Sequence, residues 1–176
     1  MGLLVLRPAR LQLPGATMSE TAEIEAKLKD SPLFAEFTDL ELHEFVSLVD
    51  VTRAKASDVV VRQDDFGDCM YILVKGTARV VHHKEGHYVD LARLKTGDFF
   101  GEIALVDHGP RSADVQAVDD CTLLRITVGD LSALAGIFPM AGFKYLIALG
   151  RILVDRLRRS NQRYVDSLIF PLPGKD

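Results

Sequence analysis

Between Gly97 and Val115 the sequence sets an acid directly behind a glycine, Gly101-Glu102, and nine positions later an arginine behind a proline, Pro110-Arg111. Each of these residue types has a definite use beside a small anionic ligand. Glycine lets backbone approach a ligand closely. Glu102 to Val106 suits one helical turn, whose first N–H groups lack partners within the helix and favour an anion. At that helix start the Glu102 carboxylate is stabilised by the positive end of the helix dipole, and when ionised it only accepts hydrogen bonds. It therefore reads a pair of hydroxyls rather than a phosphate. Arg111 offers the planar donor fork that matches two phosphate oxygens, and Ser112 adds a hydroxyl and a backbone N–H beside it. Singly, these residues describe a surface loop with a Glu–Arg pair. Together, at this spacing, they describe a cradle for a cyclic phosphate and a sugar diol on one ligand.

The run Phe100-Gly101-Glu102-Ile103-Ala104-Leu105, followed by Pro110-Arg111-Ser112-Ala113, resembles the phosphate-binding cassette of cyclic nucleotide-binding domains. Those domains serve protein kinase regulatory subunits, gated ion channels and bacterial catabolite-activator-type regulators. Gly-Glu and Arg-x-Ala fall at the family's spacing without insertion, and the resemblance extends from about Leu33 to about Leu157, because Gly67, Gly76 and Gly97 also sit where that fold turns its strands. The resemblance implies that Glu102 takes the ribose 2′-hydroxyl and Arg111 the cyclic phosphate, and that backbone around Gly101, Ile103, Ala104, Ser112 and Ala113 completes the cradle. It also implies an apolar base site lined by Phe100 and Val80, covered by a lid helix at Leu153, Arg156, Leu157 and Arg159 that closes when ligand binds. In that family threonine after the cassette arginine often accompanies cGMP, whereas alanine or serine is common in cAMP sites. Ser112 is compatible with both ligands and leans towards cAMP.

The elements that must position the cassette follow from periodicity. Ser19 to Lys29 favours helix, and Ser31-Pro32 interrupts it because proline disfavours helical geometry in the residue before it. Thr38 with Glu41 forms a capping box for a second helix, whose expected apolar face is Leu40, Leu42, Phe45, Val46 and Val49. Between residues 50 and 127 come short β-type runs: Val59 to Arg62, Cys69 to Val74, Thr77 to His82, Tyr88 to Leu94, Ser112 to Val118 and Cys121 to Ile126. Their spacing predicts an antiparallel sandwich or jelly roll, with Gly67, Gly76, Gly86 and Gly97 at corners of positive φ. Val128 to Gly136 reads as a short helix with Asp130 near its start, and Pro139 opens the next. Leu146, Leu149, Leu153 and Leu157, with Phe143, Ile147 and Val154 beside them, predict an amphipathic helix running beyond Tyr164. Arg151, Arg156, Arg158, Arg159 and Arg163 crowd its polar side.

The expected fold class is mainly β with flanking helices. With the resemblance, it becomes an antiparallel β-roll or jelly roll (a double-stranded β-helix) with an N-terminal helical bundle and C-terminal lid helices. The expected divisions are a disordered tail over 1–18, N-terminal helices over 19–50, the nucleotide-binding β-roll over 51–127 with its cassette at 99–115, hinge and lid helices over 128–168, and a tail over 169–176.

Composition narrows the function. A chain of 176 residues, 48% hydrophobic, suits one domain plus extensions. The net charge of −4 and isoelectric point of about 5.7 argue against a nucleic-acid partner, which needs a concentrated positive field. Cys69 and Cys121 lie in apolar strand-like runs without CxxC spacing, so buried free thiols and a cytoplasmic location are expected. The opening Met-Gly-Leu-Leu-Val-Leu-Arg-Pro is too short in apolar residues for a signal peptide or membrane span, and Leu6 stands where a myristoylation motif needs Ser or Thr. Met18 is an alternative start. No nucleophile and base stand together in the cradle, so a receptor rather than an enzyme is expected, with cAMP or cGMP as ligand and no cofactor. Too few residues follow the long helix for a helix-turn-helix. A stand-alone bacterial-type domain is therefore expected, signalling to a separate effector protein, with a homodimer through the C-terminal helix as a further option. The alternative reading takes His82, His83 and His87, near Glu85, as the clustered metal ligands of a cupin-type enzyme. Against it, His82 and His83 are adjacent on a strand and must face opposite ways, and Lys84-Glu85-Gly86 reads as a hairpin turn. His43 and His108 are expected to be solvated.

Overall fold

The computed structural model describes residues 18–169; the tails expected over 1–18 and 169–176 lie outside the described residues, except Met18 and Ile169, which are helical. Helix α1 (Met18–Lys29) ends before Ser31, and Pro32 opens a short 3-10 helix, Pro32–Phe34. Helix α2 (Asp39–Leu48) starts on the expected capping box: Glu41 N–H donates to Thr38 Oγ1 at 3.3 Å, and Thr38 N–H to Glu41 Oε2 at 2.7 Å. Its buried face is Leu42, Phe45 and Val46, continued by Val49. Leu40 was expected there, but it is exposed, because its place in the first turn turns it away from the stripe at 42, 45, 46 and 49.

Eight strands follow: β1 (Asp50–Ala54), β2 (Val59–Val61), β3 (Cys69–Lys75), β4 (Thr77–Lys84), β5 (His87–Lys95), β6 (Phe99–Phe100), β7 (Asp114–Ala117) and β8 (Cys121–Thr127). They form two four-stranded antiparallel sheets, β1-β8-β3-β6 and β2-β7-β4-β5. The continuous apolar run of β3 reflects burial on both faces. Met70, Ile72 and Val74 pack against the helices, while Leu73 points into the core between the sheets with Ala78, Phe100, Val115 and Leu123. The β4–β5 hairpin turns on Glu85 (φ 52°) and Gly86 (φ 80°), as the two-residue turn matching strand twist requires. Gly76 and Gly97 also take positive φ, but Gly67 does not; its reason for being glycine lies in the site.

Helix α3 (Glu102–Asp107) lies between β6 and β7. Helix α4 (Val128–Ile137) begins on a second capping box, between Thr127 and Asp130. Pro139 opens α5 (Pro139–Ile169), a helix of 31 residues that runs past Tyr164. Its buried residues are Ala141, Gly142, Tyr145 and Leu149. A Cβ on Gly142 would stand 2.8 Å from the Ala135 side chain, so a small residue is what lets α5 close on α4. This corrects the expected leucine stripe: Leu149 is buried and Leu153 half-buried, but Phe143, Leu146, Ile147, Val154 and Leu157 are exposed. The close approach at Gly142 fixes which flank of α5 faces its own domain, and those residues lie on the other. No described helix is long and apolar enough to cross a membrane.

Candidate functional site

A cavity of about 400 Å³ opens beneath α5, between the cassette and the β2-β7-β4-β5 sheet. Its apolar wall comes from Val61, Val80, Ala92, Leu94 and Phe100, and its polar wall from Gly101 to Ala104, Arg111 to Ala113, and the α5 residues Arg156, Arg159, Ser160 and Arg163.

Local sequence explains how the two charged groups are placed. Gly101 caps α3 at φ 79°, ψ 9°, a left-handed conformation that a side chain would strain. A Cβ there would also lie 2.5 Å from Arg111 Nη1 and 3.2 Å from the Cys69 carbonyl. Gly101 is thus glycine for two reasons at once. Glu102 follows as the first residue of α3 and is only 7% exposed. Its Oε1 accepts from Arg156 Nη1 at 2.9 Å; Nη2 of that guanidinium donates to the Phe99 carbonyl at 3.1 Å, and the group lies over the Phe99 ring, 4.2 Å from the centroid.

Arg111 is 6% exposed. Its Nη1 donates to the carbonyls of Cys69 (2.7 Å) and Gly101 (3.0 Å), and its Nη2 stands 3.4 Å from Cys69 Sγ. A Cβ on Gly67 would fall 2.4 Å from the guanidinium carbon, so this glycine makes room for Arg111 and does not turn the chain. The backbone of Arg111 is held too, donating to the Asp65 carbonyl (2.8 Å) and accepting from Asp64 N–H (2.9 Å). The site therefore presents a buried arginine and a buried glutamate on one cavity wall, under a helix that adds three more arginines. The cavity is rich in positive charge: Arg111, Arg156, Arg159 and Arg163 line it against two acids, Asp98 and Glu102, of which Glu102 is paired with Arg156, while Arg159 pairs with Asp155 at 2.6 Å.

Helix α5 is tied to the rest of the domain by further ion pairs. Lys144 Nζ lies 2.8 Å from Glu41 Oε2, and Arg151 Nη1 lies 2.8 Å from Glu36 Oε1. Burial pushes the Glu41 carboxyl up, but the Lys144 ammonium and the Thr38 donors outweigh it and hold the group below its ordinary value. The Tyr145 hydroxyl approaches Met70 Sδ at 3.1 Å, and burial, reinforced by the Glu102 charge, pushes its pKa up.

The structure brings together Phe100, Gly101, Glu102, Ile103, Ala104, Arg111, Ser112, Ala113 and Val80 around the cavity. Ile103 contributes backbone, its residue being half exposed at 49%. Of the lid candidates, Arg156 and Arg159 line the cavity, whereas Leu153 packs against the helical core and Leu157 faces outwards. Ser160 and Arg163 were missed, although they stand four and seven positions after Arg156, the spacing that returns to one helical face. The histidines expected by the alternative reading do not converge. His82 approaches the Ser112 carbonyl, His83 approaches Asp114 on the other face of β4, and His87 begins β5 in solvent. Among the described residues no group of three His, Cys, Asp or Glu is placed to hold a metal ion. His43 is not simply solvated either, since it pairs with Glu25 at 2.7 Å, while His108 is exposed at the end of α3. Cys69 and Cys121 are both buried free thiols.

Comparison with known proteins matches this geometry. Residues 51–136 match the family model of the cyclic nucleotide-binding domain. The chain is 31% identical over 135 residues to the cyclic AMP receptor protein of Thermus thermophilus, covering 76% of this chain and 61% of that one. It is 31% identical over 121 residues to the cAMP-dependent protein kinase regulatory subunit of Mycosarcoma maydis, covering 67% of this chain and 23% of that one. In fold it is similar to the crystal structure of a cyclic nucleotide-binding domain from Methylobacillus flagellatus, with a TM-score of 0.75 at 23% identity, over 90% of this chain and 88% of that one. The chain thus spans less than two thirds of the length of these curated relatives.

Proposed function

We propose that this chain, which belongs to the cyclic nucleotide-binding domain family through residues 51–136, is a receptor for a purine cyclic nucleotide, cAMP in preference to cGMP, and relays its occupancy to a separate protein. The observation that carries this reading is the pair of buried opposite charges on one cavity wall, Glu102 and Arg111, beside an apolar slot. Arg111 takes the cyclic phosphate; its Nη1 is bonded to two carbonyls, which aims the rest of the fork. Glu102 takes the ribose 2′-hydroxyl. Phe100 and Val80, with Val61 and Leu94, form the slot for the base, under Arg156 and Arg159 of α5. Ser112, where threonine would favour guanine, supports the preference for cAMP.

The relay runs through Arg156. This residue shares the Glu102 carboxylate with the incoming ribose, so occupancy changes the strength of the link between the cassette and α5. Helix α5 in turn is tied to the N-terminal helices through Lys144–Glu41 and Arg151–Glu36. The ligand shifts the position of α5 by as much as its affinity differs between the two arrangements. The chain is a receptor and not an enzyme, with no cofactor: the cavity is lined by arginines, the acids Asp98 and Glu102, serines and apolar side chains, and both acids are already engaged, Asp98 by the Lys95 N–H and Glu102 by Arg156, so that the lining holds a ligand without attacking it. Its effector is a protein and not a nucleic acid, and it works in the cytoplasm, in keeping with its net charge of −4 and its buried free thiols.

A homodimer through α5 completes the reading. The sequence of α5 repeats in sevens: Met140, Ile147, Val154, Asn161 and Leu168 share one position, and Phe143, Gly150, Leu157 and Tyr164 another, all of them exposed. The residues α5 buries against its own domain fall on the opposite side. One flank of the seam is mainly cationic, Lys144, Arg151, Arg158 and Val165, and the other uncharged, Leu146, Leu153, Ser160 and Ser167. An antiparallel pair would set the cationic flanks against each other, so the occupant is a second copy in parallel, with Asn161 fixing the register.

Calorimetry with cAMP, cGMP, cCMP and cUMP selects the ligand. Tightest binding of cAMP is expected, tightest binding of cGMP would reverse the stated preference, and the absence of heat with all four would overturn the receptor reading.

A further inference from the structure

Where the cassette leaves the sheet, side chains take over from the β-ladder. Strand β4 pairs with β7 from Ala78–Ala117 to Val81–Asp114, and the pairing stops there. Continued by two more residues, it would set His83 opposite Ser112. Instead, the amide of Gln63 takes both backbone groups of His83: Oε1 accepts from His83 N–H at 2.8 Å, and Nε2 donates to the His83 carbonyl at 3.0 Å. The Ser112 carbonyl is approached by His82 Nδ1 at 3.1 Å. A carbonyl can only accept, so His82 carries its proton on Nδ1 in this contact. On the other face of β4, His83 Nε2 lies 3.0 Å from Asp114 Oδ2, while Asp114 Oδ1 accepts from Gln63 N–H at 2.7 Å. The His83 ring is braced by an edge contact with Tyr88, 4.4 Å between centroids.

We propose that His82, with His83, Gln63 and Asp114 behind it, is a positioning clamp for the exit of the cassette, setting the place of Ser112 and thereby of Arg111 beside it. The proposal rests on the receptor reading above. Arg111 is fixed at its backbone N–H and carbonyl and at its guanidinium by residues 64, 65, 69 and 101. Ser112 is the next residue, the ladder does not reach it, and His82 bonds its carbonyl. The adjacent histidines that resemble a metal cluster in sequence thus have a use that needs their opposite orientations. One face of β4 grips the carbonyl of Ser112 and the other the carboxylate of Asp114, two residues further along.

The test exploits which nitrogen is used. An asparagine amide superposes on Nδ1 of histidine, a glutamine amide on Nε2. Nucleotide affinity is measured by calorimetry, and melting temperature alongside, for the wild type and for His82→Phe, His82→Asn and His82→Gln. Loss of one net hydrogen bond predicts affinity roughly fivefold weaker for His82→Phe. His82→Asn returns it to within about twofold of wild type, whereas His82→Gln stays weak, each at a melting temperature near wild type. Wild-type affinity in His82→Phe overturns the clamp, as does equal weakness of all three variants or a loss of affinity that tracks melting temperature. A wild-type chain that binds no cyclic nucleotide removes the receptor reading itself, an outcome distinct from either.

Discussion

Replacing Arg156 by alanine severs the direct side-chain link between α5 and the cassette, and its cost can be worked from the contacts. The substitution removes a charge-assisted hydrogen bond to Glu102, a hydrogen bond to the Phe99 carbonyl and a guanidinium stacked on the Phe99 ring. A hydrogen bond to a charged group contributes about 1.5–3 kcal/mol and a cation–π contact about 0.5–1 kcal/mol. The Arg156 side chain is 42% exposed, so solvent screens it; with its two hydrogen bonds counted as one at the low end of the range, they and the cation–π contact come to about 2 kcal/mol together. Glu102 keeps its burial and loses its partner, which places the cost in local opening of the link between α5 and α3. Hydrogen exchange reads this directly. Protection across 152–160 should fall by roughly thirtyfold in Arg156→Ala, while amides of the central β8 residues Leu123 to Ile126 stay unchanged. Unaltered exchange across 152–160 would refute the claim that Arg156 is the latch, and with it the relay through α5.

Two other consequences are open to measurement. The folded-state pKa of Glu41 lies below its ordinary 4.5, so its contribution to stability is present above that pH and is lost as pH falls through the lower folded value. Glu41→Gln should therefore lower the melting temperature more at pH 7 than at pH 3; an equal gap at both pH values would show that the charge of Glu41 is not the cause. Leu157→Glu sets like charges face to face in the α5 seam and should convert a dimer to a monomer by analytical ultracentrifugation, at unchanged circular dichroism; a wild-type monomer, or a variant that still dimerises, would exclude this seam.

The cassette was legible because its information is local. Gly101, Glu102 and Arg111 lie within eleven residues, and glycine and arginine at fixed spacing mean the same thing before and after folding. Most strands were legible from their apolar runs, but β1, with Asp50, Thr52 and Arg53, lacks an apolar signal, and β6 is two residues long. What periodicity could not resolve was the face of a helix that meets its own domain. The leucines of α5 suggested one stripe, yet the close packing of Gly142 on Ala135 chose another. Long-range pairs were likewise hidden: Arg156 meets Glu102 across 54 positions, and Gly67 is glycine because of Arg111, 44 positions away. The adjacent histidines carried the opposite lesson. Their types suggested metal, and their alternation on a strand already separated them.

Equilibrium binding of cAMP to the wild type and to Arg111→Ala tests the central claim most directly. Arg111→Lys is measured beside them, because alanine also leaves the Cys69 and Gly101 carbonyls without their donor. The account predicts saturable binding of one nucleotide per chain, weakened by at least about 1.5–3 kcal/mol in Arg111→Ala and substantially in Arg111→Lys, which keeps the charge but loses the fork. Wild-type affinity in both folded variants would contradict it.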